Sequence, residues 1–166
     1  MATSRSGKDA CDLLDADHRA LKKLFKEYHE LAGSRARGTA QKKMDLARRI
    51  CMELSVHAQI EEELFYPALR VAIKDADLLD EAQVEHQTLK DLITQIQSSG
   101  VGDELFDAKV RVLGEYMDHH VKEERTEMFA KARAARKLDL MALRDQLEDR
   151  KELLMSEMAE MGDMSA

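Results

Sequence analysis

Apolar residues recur along this chain at three- and four-residue intervals, the period of one face of a helix. The first stripe reads Cys11, Leu14, His18, Leu21, Phe25, Tyr28, and the second Leu46, Ile50, Leu54, His57, Glu61, Leu64. A third reads Leu79, Ala82, His86, Leu89, Ile93, Ile96, and a fourth Phe106, Val110, Leu113, Met117, His120, Glu124, Met128. Turn and cap residues set the ends. Asp9 caps a first helix running to about Leu31, where Gly33 and Ser34 stop it. A polar loop to Gly38 leads into a second helix from about Thr39 to Tyr66, which Pro67 is expected to interrupt or kink. A third runs from about Ala76 to Ser98, and a fourth from near Asp103 to about Ala135. Four such stripes on short connections predict an all-α, up-down-up-down four-helix bundle over residues 9–135. Residues 137–161 predict an additional C-terminal helix with the stripe Leu140, Leu143, Leu147, Leu154, Met158, Met161, broken by Arg150. Its spacing suits either folding back over the bundle or forming a homodimer through this helix.

Each bundle stripe carries polar intruders near its middle: His18; His57 with Glu61; His86; His120 with Glu124. A histidine or glutamate facing a dry core has to be paired or bound, since an unsatisfied polar group costs about 1–3 kcal/mol or more. A glutamate four residues after a histidine lies one turn along the same face, about 6 Å up the axis. Both can therefore reach one cluster on the bundle axis. The halves of the chain also repeat. H-R-A-L-K-K-L at His18 is echoed by H-Q-T-L-K-D-L at His86, and H-A-Q-I-E-E at His57 by H-V-K-E-E-R at His120. Singly, each of these residues reads as a hydrogen-bonded core histidine or an ordinary helical charge pair. Together, on core stripes in a duplicated pattern, they read as an inward-facing metal site. His119, followed by Glu123, is the rival register to His120 with Glu124; it shares an outer stripe with Leu105, Val112 and Tyr116.

Composition narrows the function classes. The 166 residues are 44% hydrophobic, 36% charged and 4% aromatic, with one proline, a balance that favours helix throughout. A net charge of -7, with no basic stripe, argues against nucleic acid as a partner. Apolar runs are too short for a membrane span, and MATSRSGKDA lacks a signal core, so the expectation is a cytoplasmic protein. Cys11 and Cys51 fall at opposite ends of the bundle, about 20 Å apart at 1.5 Å per residue, too far for a disulfide. There is no HExxH, CxxC or ferritin-type ExxH, the nearest being Asp15-x-x-His18, and no glycine-rich phosphate loop. His29 lies off the stripe and reads as a surface residue.

The segments H-A-Q-I-E-E-E-L-F-Y-P-A-L-R (His57 to Arg70) and H-H-V-K-E-E-R-T-E-M-F-A-K-A-R (His119 to Arg133), within the pattern H…HxxxE…H…HxxxE, resemble the hemerythrin-like, or HHE cation-binding, domains from about Asp12 to Arg133. The resemblance implies a non-haem di-iron centre. His18 and His57 would bind one iron and His86 and His120 the other, with Glu61 and Glu124 bridging, and a solvent-derived oxo, hydroxo or water bridge completing it. Zinc is the less favoured metal. Oxygen-carrying hemerythrins have a second histidine one turn along the third helix, where this chain has Ala82 and Lys90. They also place an aspartate five residues after the fourth-helix histidine, where it has Arg125. Reversible oxygen carriage is therefore not expected. An open coordination position is, unless Lys90, Tyr28, Tyr116 or Glu62 fills it. The expected function is binding of, or reaction with, oxygen, peroxide or nitric oxide, in sensing or protection. Iron homeostasis without turnover, or a helical adaptor with a structural metal, are the alternatives.

Overall fold

Capping chemistry starts the first helix where the sequence places it. In the computed structural model, which describes residues 8–164, α1 spans Ala10–Ala32. The Asp9 carboxylate accepts from the Asp12 backbone N–H at 3.0 Å, and the Asp12 carboxylate accepts from the Asp9 N–H at 2.9 Å. This reciprocal box satisfies two of the helix's orphan donors. Arg133, at the far end of the bundle's fourth rod, donates to both carboxylates, so the cap is also a tie between helices. Gly38, with φ of 78°, turns the chain through the left-handed region into α2 (Thr39–Ile60).

The second rod does not stop at Pro67. It passes through a π-helical turn, Glu61–Phe65, and continues as α3 (Tyr66–Ala72), with Pro67 in the first turn of α3. Proline is tolerated in that first turn, immediately after the π turn in which Tyr66 N–H donates to Glu61 C=O. Proline is not the whole cause. A second π turn, Glu124–Met128, sits at the equivalent place in the fourth rod with no proline near it, and Phe129 N–H donates to Glu124 C=O. α4 (Ala76–Gln97) is capped by Asp75. α5 (Phe106–Glu123) begins three residues after the expected Asp103, because Asp103 folds a turn that receives the Leu105 N–H on its carboxylate and the Phe106 N–H on its carbonyl. α6 (Phe129–Ala134) completes the fourth rod, and α7 (Leu140–Met164) follows once Asp139 accepts from the Ala142 N–H.

The four rods form a ring in which α1 packs on α2, α2 on α4, α4 on α5 and α5 on α1; α7 lies against α1, α2 and the first π turn. Two apolar clusters fill the interior. One gathers Leu14, Ile60, Phe65, Leu79 and Phe129; the other Leu21, Ile50, Leu89, Phe106 and Leu113. The buried histidines and glutamates form the layer between them. Cys11 belongs to the first cluster and Cys51 to the second, and both are free thiols. Among the described residues no helix is long and apolar enough to cross a membrane.

The stripe of α7 is turned onto the bundle. Leu143, Leu147 and Leu154 are buried in the first cluster, while Arg150, which breaks the stripe, donates to Glu63 at 2.7 Å. Leu147 has no exposed surface, whereas Leu153 is 51% exposed. Replacing Leu147 by alanine is therefore expected to destabilise the fold by about 2–5 kcal/mol, and Leu153→Ala by no more than about 0.5 kcal/mol. Urea denaturation of both variants checks this; equal midpoints would mean that α7 is not seated on the bundle.

Candidate metal centre

All six residues singled out from the sequence meet at the middle of the bundle. His18, His57, His86 and His120 are buried, and Glu61 and Glu124 are completely so. α1 and α2 contribute one pair of rings, His18 and His57, with centroids 4.8 Å apart; α4 and α5 contribute another, His86 and His120, at the same separation. The glutamates stand between the pairs. Glu61 Oε1 lies 3.1 Å from His57 Nε2 and 3.3 Å from His86 Nε2; Glu124 lies 3.2 Å from His18 Nε2 through Oε1 and 2.7 Å from His120 Nε2 through Oε2. Two sets of potential ligand atoms result, His18–His57–Glu61–Glu124 and Glu61–His86–His120–Glu124, each with all its atoms within 4.8 Å of one another. Both glutamates belong to both sets, which is the disposition of bridging carboxylates. On the fourth rod it is His120 that faces this interior, whereas His119 is 65% exposed and pairs with Glu123 and Glu85 on the surface. His29 is exposed as expected.

Each of the four buried histidines presents Nε2 inward and gives Nδ1 to an acid. The partners are Asp15 for His18 (3.3 Å), Asp17 for His57 (3.0 Å), Glu62 for His86 (3.3 Å) and Glu85 for His120 (3.4 Å). A carboxylate on Nδ1 favours the tautomer that leaves the Nε2 lone pair free, and raises its basicity. The sequence alone assigns none of these four acids to a histidine's outer nitrogen, although Glu62 stands among the candidates for completing the site. Three of them adjoin a candidate ligand in the chain yet serve a different helix's histidine: Asp17 beside His18, Glu62 beside Glu61, Glu85 beside His86.

Of the residues considered for completing the site, none reaches it. Glu62 engages the outer nitrogen of His86 and is paired with Lys90; Tyr28 donates to Asp107 at 2.6 Å within the other apolar cluster; Tyr116 is half-exposed. The residue that does reach it is Tyr66. Its hydroxyl donates to Glu124 Oε2 at 2.7 Å and stands 3.1 Å from Nε2 of both His86 and His120. The equivalent position in the repeat is Phe129, whose ring stacks on His18 at a centroid distance of 6.1 Å and an interplanar angle of 9°. The centre is thus asymmetric, with a phenol on one side and a benzene ring on the other.

Polar atoms left without partners show what the cluster lacks. Among the described residues, His18 Nε2, His57 Nε2, both oxygens of Glu61 and Oε1 of Glu124 are buried with no hydrogen bond. These are nitrogen and oxygen donors converging on one interior, where the cost of leaving each orphaned is relieved by a cation. Without one, protons do part of that work. Burial opposes the charge on His57, but Glu61 and Asp17 overcome it and push the imidazole up to about 10. Burial likewise opposes charge on His120, and Glu124 outweighs it. Burial would raise Glu61, yet His57, His120 and His86 hold it well below the usual carboxylate range. Burial together with Glu124 and Glu61 pushes the Tyr66 phenol well up, so it remains a neutral donor.

Known proteins resemble this chain in sequence and fold. The family model described as the hemerythrin HHE cation binding domain matches residues 9–132. A crystal structure of a hemerythrin HHE cation-binding domain-containing protein from Mycobacterium kansasii superposes with a TM-score of 0.73 at 22% identity, covering 90% of this chain and 88% of that one. A protein of Nostoc sp. named as a DNA nickase is 29% identical over 122 residues, 74% of this chain; the match spans only 33% of that protein's length.

Metal binding has to displace the protons that pair the imidazoles with the carboxylates. The His57 proton, held up to a pH of about 10, stabilises the metal-free fold fully below the ordinary histidine value of 6.5 and ceases to do so as pH rises through 10. The metal-free protein is thus expected to melt at progressively lower temperature between pH 7 and 10. Zinc or ferrous ion added at pH 7 in weak buffer is expected to release at least about one proton per chain. Thermal melts and pH-stat titration check both; a flat melting profile with no proton release would mean the imidazoles are neutral before metal arrives.

Proposed function

This chain belongs to the hemerythrin HHE cation-binding domain family, and from that premise we propose that its buried cluster holds two iron ions and handles oxygen, peroxide or nitric oxide in sensing or protection. His18 and His57 would hold one ion, His86 and His120 the other, with Glu61 and Glu124 across both. The observation that carries this reading is the sharing of two fully buried carboxylates between two histidine pairs, with three of their four oxygens unpartnered. An all-nitrogen-and-oxygen donor set rich in carboxylate favours iron over a thiolate-bound structural zinc; Cys11 and Cys51 lie in the apolar clusters outside the layer. Bound there, an iron pair would supply redox chemistry toward small oxygen- and nitrogen-centred ligands.

The chain's own residues divide the work. Tyr66 crowds the His86–His120 side and offers a proton donor at Glu124, while Phe129 lines the His18 side with carbon alone. The exchangeable position is therefore assigned to the His18–His57 side, where no fifth protein donor stands. Neither Ala82, which is buried, nor Lys90, which is paired with Glu62, supplies the second third-helix nitrogen of oxygen carriers, and Arg125 is engaged by Asp15. Reaction rather than reversible carriage fits that donor set. The free thiols fit a reducing compartment, and the proposal places the protein in the cytoplasm. A net charge of -7 favours small ligands over DNA as partners, although a longer relative is named for DNA. A homodimer through α7 would have to use Met141, Leu153 and Met161, which its packing leaves exposed.

Iron analysis with absorption spectroscopy tests the reading. Two irons per chain are expected; His120→Ala and Glu61→Ala should lose metal, and His119→Ala should keep it. Azide added to the diferric protein should shift the spectrum, and Tyr66→Phe should retain both ions with altered bands. A protein purified with zinc alone, or a diferric spectrum indifferent to azide, would count against it.

A further inference from the structure

We propose that α7 is wired into the metal centre: Lys151 positions Asp17 and thereby sets how strongly His57 donates to its metal. The inference rests on the two-metal reading above. It begins from a comparison of the four histidine–carboxylate pairs. Each outer acid also has a cationic or histidine partner, which is Arg125 for Asp15, Lys90 for Glu62 and His119 for Glu85; these come from within the four rods. Asp17 alone among the four draws its cation from α7. Its side chain is 10% exposed, against 23% for Asp15, 29% for Glu62 and 21% for Glu85. Water therefore screens Asp17 least, and a nearby ammonium counts for most there. Its bond to a metal-site histidine is also the shortest of the four, at 3.0 Å.

The two oxygens of Asp17 divide between these tasks. Oδ2 takes His57 Nδ1, and Oδ1 takes Lys151 Nζ. Lys151 and Met155 form the wall between two surface clefts, of about 140 and 610 Å³, that meet at Asp17. Glu53, whose other oxygen is paired with Arg49, lines the smaller cleft with a buried oxygen that has no partner, so Lys151 is the one lysine or arginine in contact with Asp17 among the described residues. The ammonium draws carboxylate charge toward itself and away from the His57 Nδ1–H. Removing it leaves Asp17 pulling harder on that proton, and the imidazole becomes the stronger donor at Nε2.

Lys151→Met, which keeps the length and apolar stem, is the test, with Lys151→Gln as a second neutral variant. In the zinc-loaded protein, the His57 Nδ1–H proton resonance is expected to move downfield in both, with those of His18, His86 and His120 unmoved. In the iron-loaded protein the reduction midpoint should fall, because a stronger donor favours the ferric state. Lys151→Arg should restore both. Arg150→Met, which removes the neighbouring α7 tie to Glu63, is the structural control and should move neither. Lys90→Met should move the His86 resonance instead. An unmoved His57 resonance with an unchanged midpoint in Lys151→Met, or equal shifts in Arg150→Met, would overturn the proposal. Wild type that takes up no pair of ions would instead overturn the two-metal reading itself.

Discussion

Two acceptor-only carboxylates, Glu61 and Glu124, are buried completely at the centre of this bundle, and the surrounding structure is arranged around that burden. An isolated charge there would be untenable, and breaking a buried ion pair by removing one partner typically costs about 3–5 kcal/mol. The four imidazoles answer it from four different rods. That explains why the rods need a closed ring rather than an open sheet of helices: each rod brings something the two carboxylates require. The layer separates the apolar core into two clusters, and neither cluster alone gathers all of the chain's large buried side chains.

Charge then alternates outward from the centre. Inner carboxylates face imidazoles, imidazoles face the outer acids Asp15, Asp17, Glu62 and Glu85, and these acids face Arg125, Lys151, Lys90 and His119. Apart from Asp17 with Lys151, the outermost pairs are exposed enough that their direct contribution to stability is about 0–1 kcal/mol each. Their importance lies in orientation. Each one restrains an acid that in turn holds a ring edge, so that Nε2 aims inward without any need for a ligand to organise it.

The stripes and the duplicated H-x-x-x-E pattern made the bundle and its six central residues legible, because both follow the regular 3.6-residue period. Tyr66 escaped for the same reason. On an unbroken α-helix, nine residues at 3.6 per turn place Tyr66 about 180° from His57, pointing away from the site. The π turn absorbs one extra residue and brings position i+5 back over position i, so Tyr66 lies above Glu61 and Phe129 above Glu124. Three of the outer acids escaped that role because they act across helices: Asp17 looks like a neighbour of His18 but belongs to His57. No single-helix pattern contains that information. Arg150 reads as an interruption of an apolar stripe, whereas in the fold it ties α7 to Glu63, as Lys151 beside it ties α7 to Asp17.

Duplication supplies symmetry, and one pair of residues then departs from it. The two π turns repeat each other, as do the two H-x-x-x-E pairs, so the backbone offers both histidine pairs the same surroundings. Tyr66 and Phe129 differ by a single hydroxyl, yet that oxygen sits 2.7 Å from Glu124 and 3.1 Å from two imidazole nitrogens. A neutral phenol can donate to a bridging carboxylate, occupy space near an ion, or stand ready beside an incoming ligand; a phenyl ring can only exclude water and pack. Burial and the two glutamates keep that phenol protonated, which preserves the donor role until a cation arrives to change the local charge. α7 adds a second asymmetry, on the opposite side, through Lys151. The His86–His120 side is thus tuned from inside by a hydroxyl, and the His18–His57 side from outside by an ammonium. A cluster built from two copies of one hairpin in this way acquires two unlike halves, one crowded by a hydroxyl and one lined by carbon.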